Sequence, residues 1–286
     1  MIEFAFILAL AAGSPQMQEV PAPPACRGAP GTIDWQACAD AAGQGTPHYA
    51  FAMINLGTQA YVDGDYAGAL RFYDKAELPG QVISSDVIFH TFRADTYQHA
   101  GRDAEARADA RVAWLKLIDD PSVADAPRDR LPIDDEVRFA VLTRILPILQ
   151  AGDPASFGPA RAMFIGLPVE GWESLTNRAA VLEQLGEYDA ALVDSKRAVD
   201  LQPNEPGALN NHCYTLIRAG QPERGLPFCE RAIALAPDIA PIRHSYASAL
   251  AAMGRCDDAE RQLAEARRLE PRGAIYREPL ACTSKS

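Results

Sequence analysis

An all-α solenoid, built from stacked helix–turn–helix units behind a short cysteine-containing N-terminal segment, is the fold this sequence predicts. Three observations predict it. The C-terminal half matches itself at a shift of 34 residues: Leu182, Leu216 and Leu250 fall in phase, as do Ala198, Ala232 and Ala266, and Leu201, Leu235 and Leu269. Glycine and proline punctuate each period, with Gly186, Gly220 and Gly254 inside it and Pro203, Pro237 and Pro271 at its close. Glycine admits turn conformations and proline cannot continue a helix. Finally, "LTNRAAVLEQLGEYDAALVDSKRAVDLQP" carries two apolar stripes at helical spacing. Leu175, Ala179 and Leu182 precede the glycine; Ala191, Ser195, Ala198 and Leu201 follow it.

Taken in order, residues 1–13 begin with a nine-residue apolar run, Phe4–Ala12, followed by small residues and a proline. Nine residues are too few for a bilayer, which needs about twenty in a helix, so no stable membrane span is expected. The length and the small-residue exit read as a secretory signal, although Glu3 stands where a basic residue is usual. The alternative is a buried first helix, which would leave the chain cytoplasmic. Residues 14–48 form the segment holding Cys26 and Cys38.

Residues 49–120 hold "INLGTQAYVDGDYAGALRFYDKA" and "FRADTYQHAGRDAEARADARVA". The first holds Leu56–Gly57, Gly64–Asp65–Tyr66, Ala69, Tyr73 and Ala76, the second Ala94, Tyr97, Gly101, Ala106 and Ala113, and residues 185–192 read "LGEYDAAL". With the 34-residue period and the glycine–alanine–proline phasing, this pattern resembles the tetratricopeptide repeat family. The resemblance implies a right-handed superhelix of helix pairs whose concave face, lined by the first helix of each unit, holds a peptide or helix of a protein partner. It is specific about fold and nearly silent about ligand. Residues 121–137 are proline- and aspartate-rich without periodicity and read as a loop or hinge, or equally as a packed insertion. Residues 138–170 read as a degenerate repeat, its first helix interrupted by Pro147 and its turn about three residues longer than usual by comparison with the others. Residues 171–273 are three tandem repeats, and 274–286 a tail.

The six cysteines are even in number, which in an exported chain fits a disulfide framework. Cys213 and Cys229 lie eight residues either side of Gln221. Antiparallel helices would set both about 12 Å from the bend, facing one another. Cys26 and Cys38 bracket a glycine- and proline-containing stretch, and closing that loop would contribute about 3 kcal/mol. Cys256 and Cys282 could staple the tail to the last helix, although Pro279 would distort any helix there. Reduced thiols serving as small core residues are the alternative reading.

Chemistry is scarce. No nucleophile elbow, phosphate loop, dinucleotide fingerprint or haem-attachment motif occurs, and the five histidines have no obvious partner. No CxxC or HxxxH spacing offers metal ligands, so no metal, cofactor or enzymatic activity is expected. The net charge of −11 argues against a nucleic-acid or anionic-membrane surface. Binding remains. On the first helices, the stripe opposite the core is Asn210, Tyr214 and Arg218, in phase with Thr176, Ala180 and Gln184 before it and His244, Ser248 and Ala252 after it. That face is neutral and small-lined, and Arg218 is its single cation. The expectation is a non-enzymatic scaffold or adaptor for a protein or peptide, exported to a bacterial periplasm. The alternatives are a permanently docked structural or regulatory subunit of an envelope complex, or a cytoplasmic co-chaperone-like repeat protein.

Overall fold

A computed structural model describes residues 21–76, 87–118 and 133–282. Among the described residues there are thirteen α-helices, three single 3-10 turns and no strand. The chain divides into two compact units that meet in sequence between Leu167 and Pro168. The expected signal at residues 1–13 and residues 121–132 of the expected loop lie outside the described residues.

The first unit contains α1 (Trp35–Ala42), α2 (Pro47–Val62), α3 (Tyr66–Ala76), α4 (Val87–His99), α5 (Asp103–Leu117), α6 (Asp135–Gln150) and α7 (Pro154–Gly166). Side-chain caps set several starts. Thr46 accepts from the amide of Tyr49 at 3.1 Å and Asp134 from that of Val137 at 2.9 Å, each satisfying a donor the helix leaves free. Ahead of α1, Cys26 is bonded to Cys38 with Cα atoms 4.6 Å apart. Trp35 then packs edge-on against Phe51 at 5.3 Å, tying this segment to α2.

The second unit contains α8 (Trp172–Gln184), α9 (Tyr188–Leu201), α10 (Pro206–Arg218), α11 (Pro222–Leu235), α12 (Ala240–Ala252) and α13 (Cys256–Leu269). These are three helix pairs at the 34-residue period. Each turn places a glycine in the left-handed region: Gly186 at φ 82°, Gly220 at 74° and Gly254 at 78°. The residue after each glycine bonds back five positions, as Gln221 does to Leu216 at 2.8 Å, closing the helix end. Gly64 and Gly101 do the same in α2–α3 and α4–α5.

The pair α6–α7 departs from that pattern in a way the sequence did not show. Its turn, residues 151–153, is three residues long like the others, not extended. Asp153 bonds back only four positions, to Leu149 at 2.8 Å, and Gly152 is not left-handed. Pro147 does not interrupt α6, which runs on to Gln150. The proline stands in the last turn, where it forfeits a single hydrogen bond. The helix is retained because Val141, Leu142, Ile145, Leu146 and Leu149 are all fully buried, against α4, α5 and α7.

One position shows how the paired helices approach. A Cβ on Gly57 would stand 2.5 Å from the Tyr73 ring, sixteen residues on, so only glycine fits there. Along the chain the same sixteen-residue pair is Ala179 with Ser195, Cys213 with Cys229, and Ala247 with Leu263, every member buried. In the middle of these, two intermediate side chains are joined covalently, with Cα atoms 5.5 Å apart. The close approach that admits glycine against tyrosine therefore also admits a disulfide.

The second in-phase leucine series behaves otherwise than its periodicity implies. Leu201 and Leu235 are 54% and 50% exposed, although the sequence places Leu201 on a core stripe. Each is the last residue of its helix, beyond the buried alanine (Ala198, Ala232) that marks the end of the contact. Leu269 is half-buried, packed on a cluster around Tyr276.

Candidate functional site

Two buried ion pairs hold helix pairs together. In α8–α9, Arg178 donates through Nε and Nη2 to both carboxylate oxygens of Asp194, at 2.6 and 3.0 Å. In α4–α5, Arg93 grips Asp109 in the same way at 2.5 and 2.9 Å, and His90 adds a contact at 3.0 Å. Burial pushes the Asp109 carboxyl up, but the His90 and Arg93 hydrogen bonds outweigh it and hold it below the usual range. Between repeats, the Ser195 hydroxyl meets Nδ1 of His212 at 2.9 Å, joining α9 to α10. Burial, with Lys196 and Arg224 nearby, lowers His212 to about 4. These groups have structural partners, and their geometry is that of cross-braces.

The residues of the predicted first-helix face lie on α8, α10 and α12. Thr176, Asn210 and Tyr214 are half-buried there, and Gln184 is exposed at the end of α8. Ser248 donates its hydroxyl to the His244 carbonyl at 2.9 Å, so that proton is already used within α12. His244 is buried rather than displayed: its ring lies 6.3 Å from Tyr214 on one side and 5.7 Å from Tyr276 on the other. Burial lowers its pKa.

Arg218 has a partner that inspection of the stripe missed. Its Nη1 lies 3.0 Å from Glu183 Oε1, one repeat back. Hydrogen bonding to Tyr188 and Tyr214, then the charge of Glu183, raise the guanidinium pKa. Burial raises Glu183, against the pull of Arg218. Glu183 stands one residue before Gln184, just off the predicted row, and an acid near the only cation was the available signal. The predicted lone cation, itself exposed, is thus paired with a carboxylate of the same chain that would compete with a ligand's carboxylate.

Along this face several oxygens are buried without a hydrogen-bond partner among the described residues: Thr176 Oγ1, Asn210 Oδ1, Asn211 Oδ1 and Glu183 Oε1, the last facing Arg218 without hydrogen-bond alignment. Thr176 and Asn210 occupy the same register on successive first helices. A buried acceptor left unmade is costly, and such atoms call for a donor.

The first unit carries a second, more self-contained cluster. The Tyr61 hydroxyl donates to Asp95 at 2.7 Å, Arg144 lies over the Phe92 ring at 4.6 Å, and Tyr61, Tyr66 and His99 pack ring against ring. The sequence reading singled out none of these residues for binding. Of the remaining cysteines, Cys256 is bonded to Cys282 with Cα atoms 5.7 Å apart. No cluster of three metal-ligating side chains occurs among the described residues, nor any helix long and apolar enough to cross a membrane.

The tetratricopeptide repeat family model matches residues 216–278. Among solved structures, the chain is similar to a tetratricopeptide repeat protein from Parabacteroides merdae, with 15% identity and a TM-score of 0.60, over 86% of this chain and 91% of that one. It is also similar to PilW, described as a widely conserved type IV pilus biogenesis factor, with 17% identity and a TM-score of 0.51, over 80% of this chain and 96% of that one. At these identities the likeness is one of fold. No curated protein sequence matches. The chain thus carries a segment matching the tetratricopeptide repeat model at residues 216–278, and it shares the helix-pair solenoid fold of tetratricopeptide repeat proteins.

Proposed function

We propose that this chain is a non-enzymatic adaptor that holds a donor-rich, basic segment of a protein partner on the first-helix face of α8, α10 and α12. Repeat solenoids of this family bind protein partners, and the fold supports an interaction scaffold. The observation that carries the finer reading is the pair of buried, unpartnered oxygens of Thr176 and Asn210, at the same register on successive first helices, with Asn211 beside the second. Peptide N–H groups and ammonium or guanidinium donors would satisfy them once a docking segment displaces the side chains that cover them. The net charge of −11 favours a basic segment over an acidic one. Three disulfides support an exported chain in an oxidising compartment such as a periplasm, in keeping with the apolar run at residues 4–12.

The test is a peptide array of graded charge probed with wild type and with Thr176→Val/Asn210→Leu. These replacements keep approximate shape and delete the two acceptors. Wild type is expected to retain basic peptides, and the variant to lose about tenfold or more in affinity, since each lost hydrogen bond is worth about 1 kcal/mol. Its melting temperature should not fall. Equal retention by both proteins, or a preference for acidic peptides, would reject this face. A docked-subunit reading is favoured by a different observation, the large exposed side chains Val193, Leu201, Leu235 and Ile239 of the second unit.

A further inference from the structure

The last described segment fills a place that the repeat pattern reserves for another helix. Ala274 and Tyr276 stand 34 residues beyond Ala240 and Ile242, and Tyr276 is buried like Ile242. Only a single 3-10 turn, Ala274–Tyr276, forms there; beyond it the chain has neither helix nor strand up to Cys282. Pro279 accounts for that, since it cannot donate to a helix.

Packing, two hydrogen bonds and one disulfide hold this cover down. Tyr276 sits on Ala240, Ala247, Leu263 and Ala266, and Leu280 reaches both that cluster and the one formed by Leu250, Ala251 and Ala259. Arg267 Nε donates to the Tyr276 carbonyl at 2.6 Å, and the Tyr276 hydroxyl donates to Glu270 at 3.3 Å. Arg277, Glu278, Pro279 and Ala281 are exposed. The far end is fixed by the bond from Cys282 to Cys256, at the first residue of α13.

We propose that residues 270–282 form a redox-latched cover over the end of the array, with Cys256–Cys282 as the latch. The contrast in burial carries this. Cys213 and Cys229 are fully buried inside their helix pair, whereas Cys256 and Cys282 are both partly exposed. Thiol–disulfide exchange needs in-line access of a thiolate to one sulfur. A dithiol reductant of the thiol–disulfide oxidoreductase class attacks one sulfur of the latch and displaces the other as thiolate. Its second thiol then resolves the mixed disulfide. Two electrons and two protons pass to Cys256 and Cys282, and the donor leaves as a disulfide. Release of the segment uncovers the apolar end face and lifts Tyr276 from His244, which lengthens the first-helix face by one position. That last consequence rests on the proposed docking face; the latch does not.

The experiment uses the full oxidised chain. It is exposed to graded dithiothreitol, trapped by alkylation and mapped by mass spectrometry, with amide exchange followed in residues 274–282. Cys256 and Cys282 are expected to be alkylated while Cys213–Cys229 stays intact. Exchange across 274–282 should rise about tenfold or more as the segment opens. Cys256→Ser/Cys282→Ser should show the same exchange with no reductant. Unchanged protection in the reduced chain, or prior reduction of Cys213–Cys229, would overturn the latch. Neither readout involves a partner, so failure of the docking face leaves this result standing.

Discussion

Removing the carboxylate of Asp194 tests whether the helix pairs are braced as described. Arg178 and Asp194 are 6% and 3% exposed and share two charge-assisted hydrogen bonds at 2.6 and 3.0 Å. Each such bond is worth about 1.5–3 kcal/mol, and depriving a buried ion of its counter-charge costs about 3–5 kcal/mol in all. Asp194→Leu should therefore destabilise the protein by about 3–4 kcal/mol, and Arg178→Met by a similar amount. The double variant behaves differently, because no buried charge is left to desolvate. It should return to within about 1 kcal/mol of wild type, a coupling of several kcal/mol between the two sites. The assay is urea unfolding by circular dichroism with the disulfides intact, paired with amide exchange in α8–α9, since repeats can open locally without global unfolding. A single-variant loss below about 1 kcal/mol, or a double variant as unstable as the sum, would refute the reasoning.

Acid should weaken the fold through His212. Its pKa is lowered from 6.5 to about 4 in the folded chain, so the unfolded chain binds more protons between those values. The stability it contributes is present above pH 6.5 and is lost as pH falls toward 4; burial lowers His244 in the same sense. The melting temperature should fall across this window, and less steeply in His212→Gln; an identical slope would exclude the role. Deleting the inner disulfide with Cys213→Ala/Cys229→Ala should cost about 3 kcal/mol, because the loop it closes spans sixteen residues. Alanine already occupies the first of these positions in both neighbouring repeats, so little strain is added. Thermal unfolding that matches wild type would mean the unfolded chain gains nothing from opening that loop.

Much of the fold was legible because its punctuation is local. Gly186, Gly220 and Gly254 supply the left-handed turn at no steric cost, and a 34-residue period leaves few other ways to bury the intervening stripes. Cys213 and Cys229 could be paired by counting from the bend. What escaped was the difference between repetition and burial. Leu201 and Leu235 recur as faithfully as Leu182 and Leu216, but they fall past the end of the helix contact. Pro147 reads as a break, yet apolar residues on every side of α6 hold the helix through its last turn. The candidate face was located by phase alone, and phase is blind to partners off the row. Glu183 neutralises Arg218 from the adjacent position, and Tyr276 covers His244 from a segment whose pattern had already ended. The Arg–Asp braces did leave a trace: both pairs are separated by sixteen residues, the same spacing that brings the two inner cysteines together.

All three disulfides are short in sequence, spanning 12, 16 and 26 residues. Each closes a loop within one helix pair or one end of the chain, and none ties a repeat to the next. Pulled by its ends, the molecule can therefore lengthen between its modules while the closed loops stay shut. The loop at Cys213–Cys229 alone withholds about 55 Å of contour, at roughly 3.5 Å per residue. With all three loops shut, a single-molecule extension trace should come up short by about 190 Å, at roughly 3.5 Å per residue, until a reductant opens them. Under tension the chain would keep three covalently sealed loops, one near its start and two in its last helix pairs, while the unsealed pairs between them pay out.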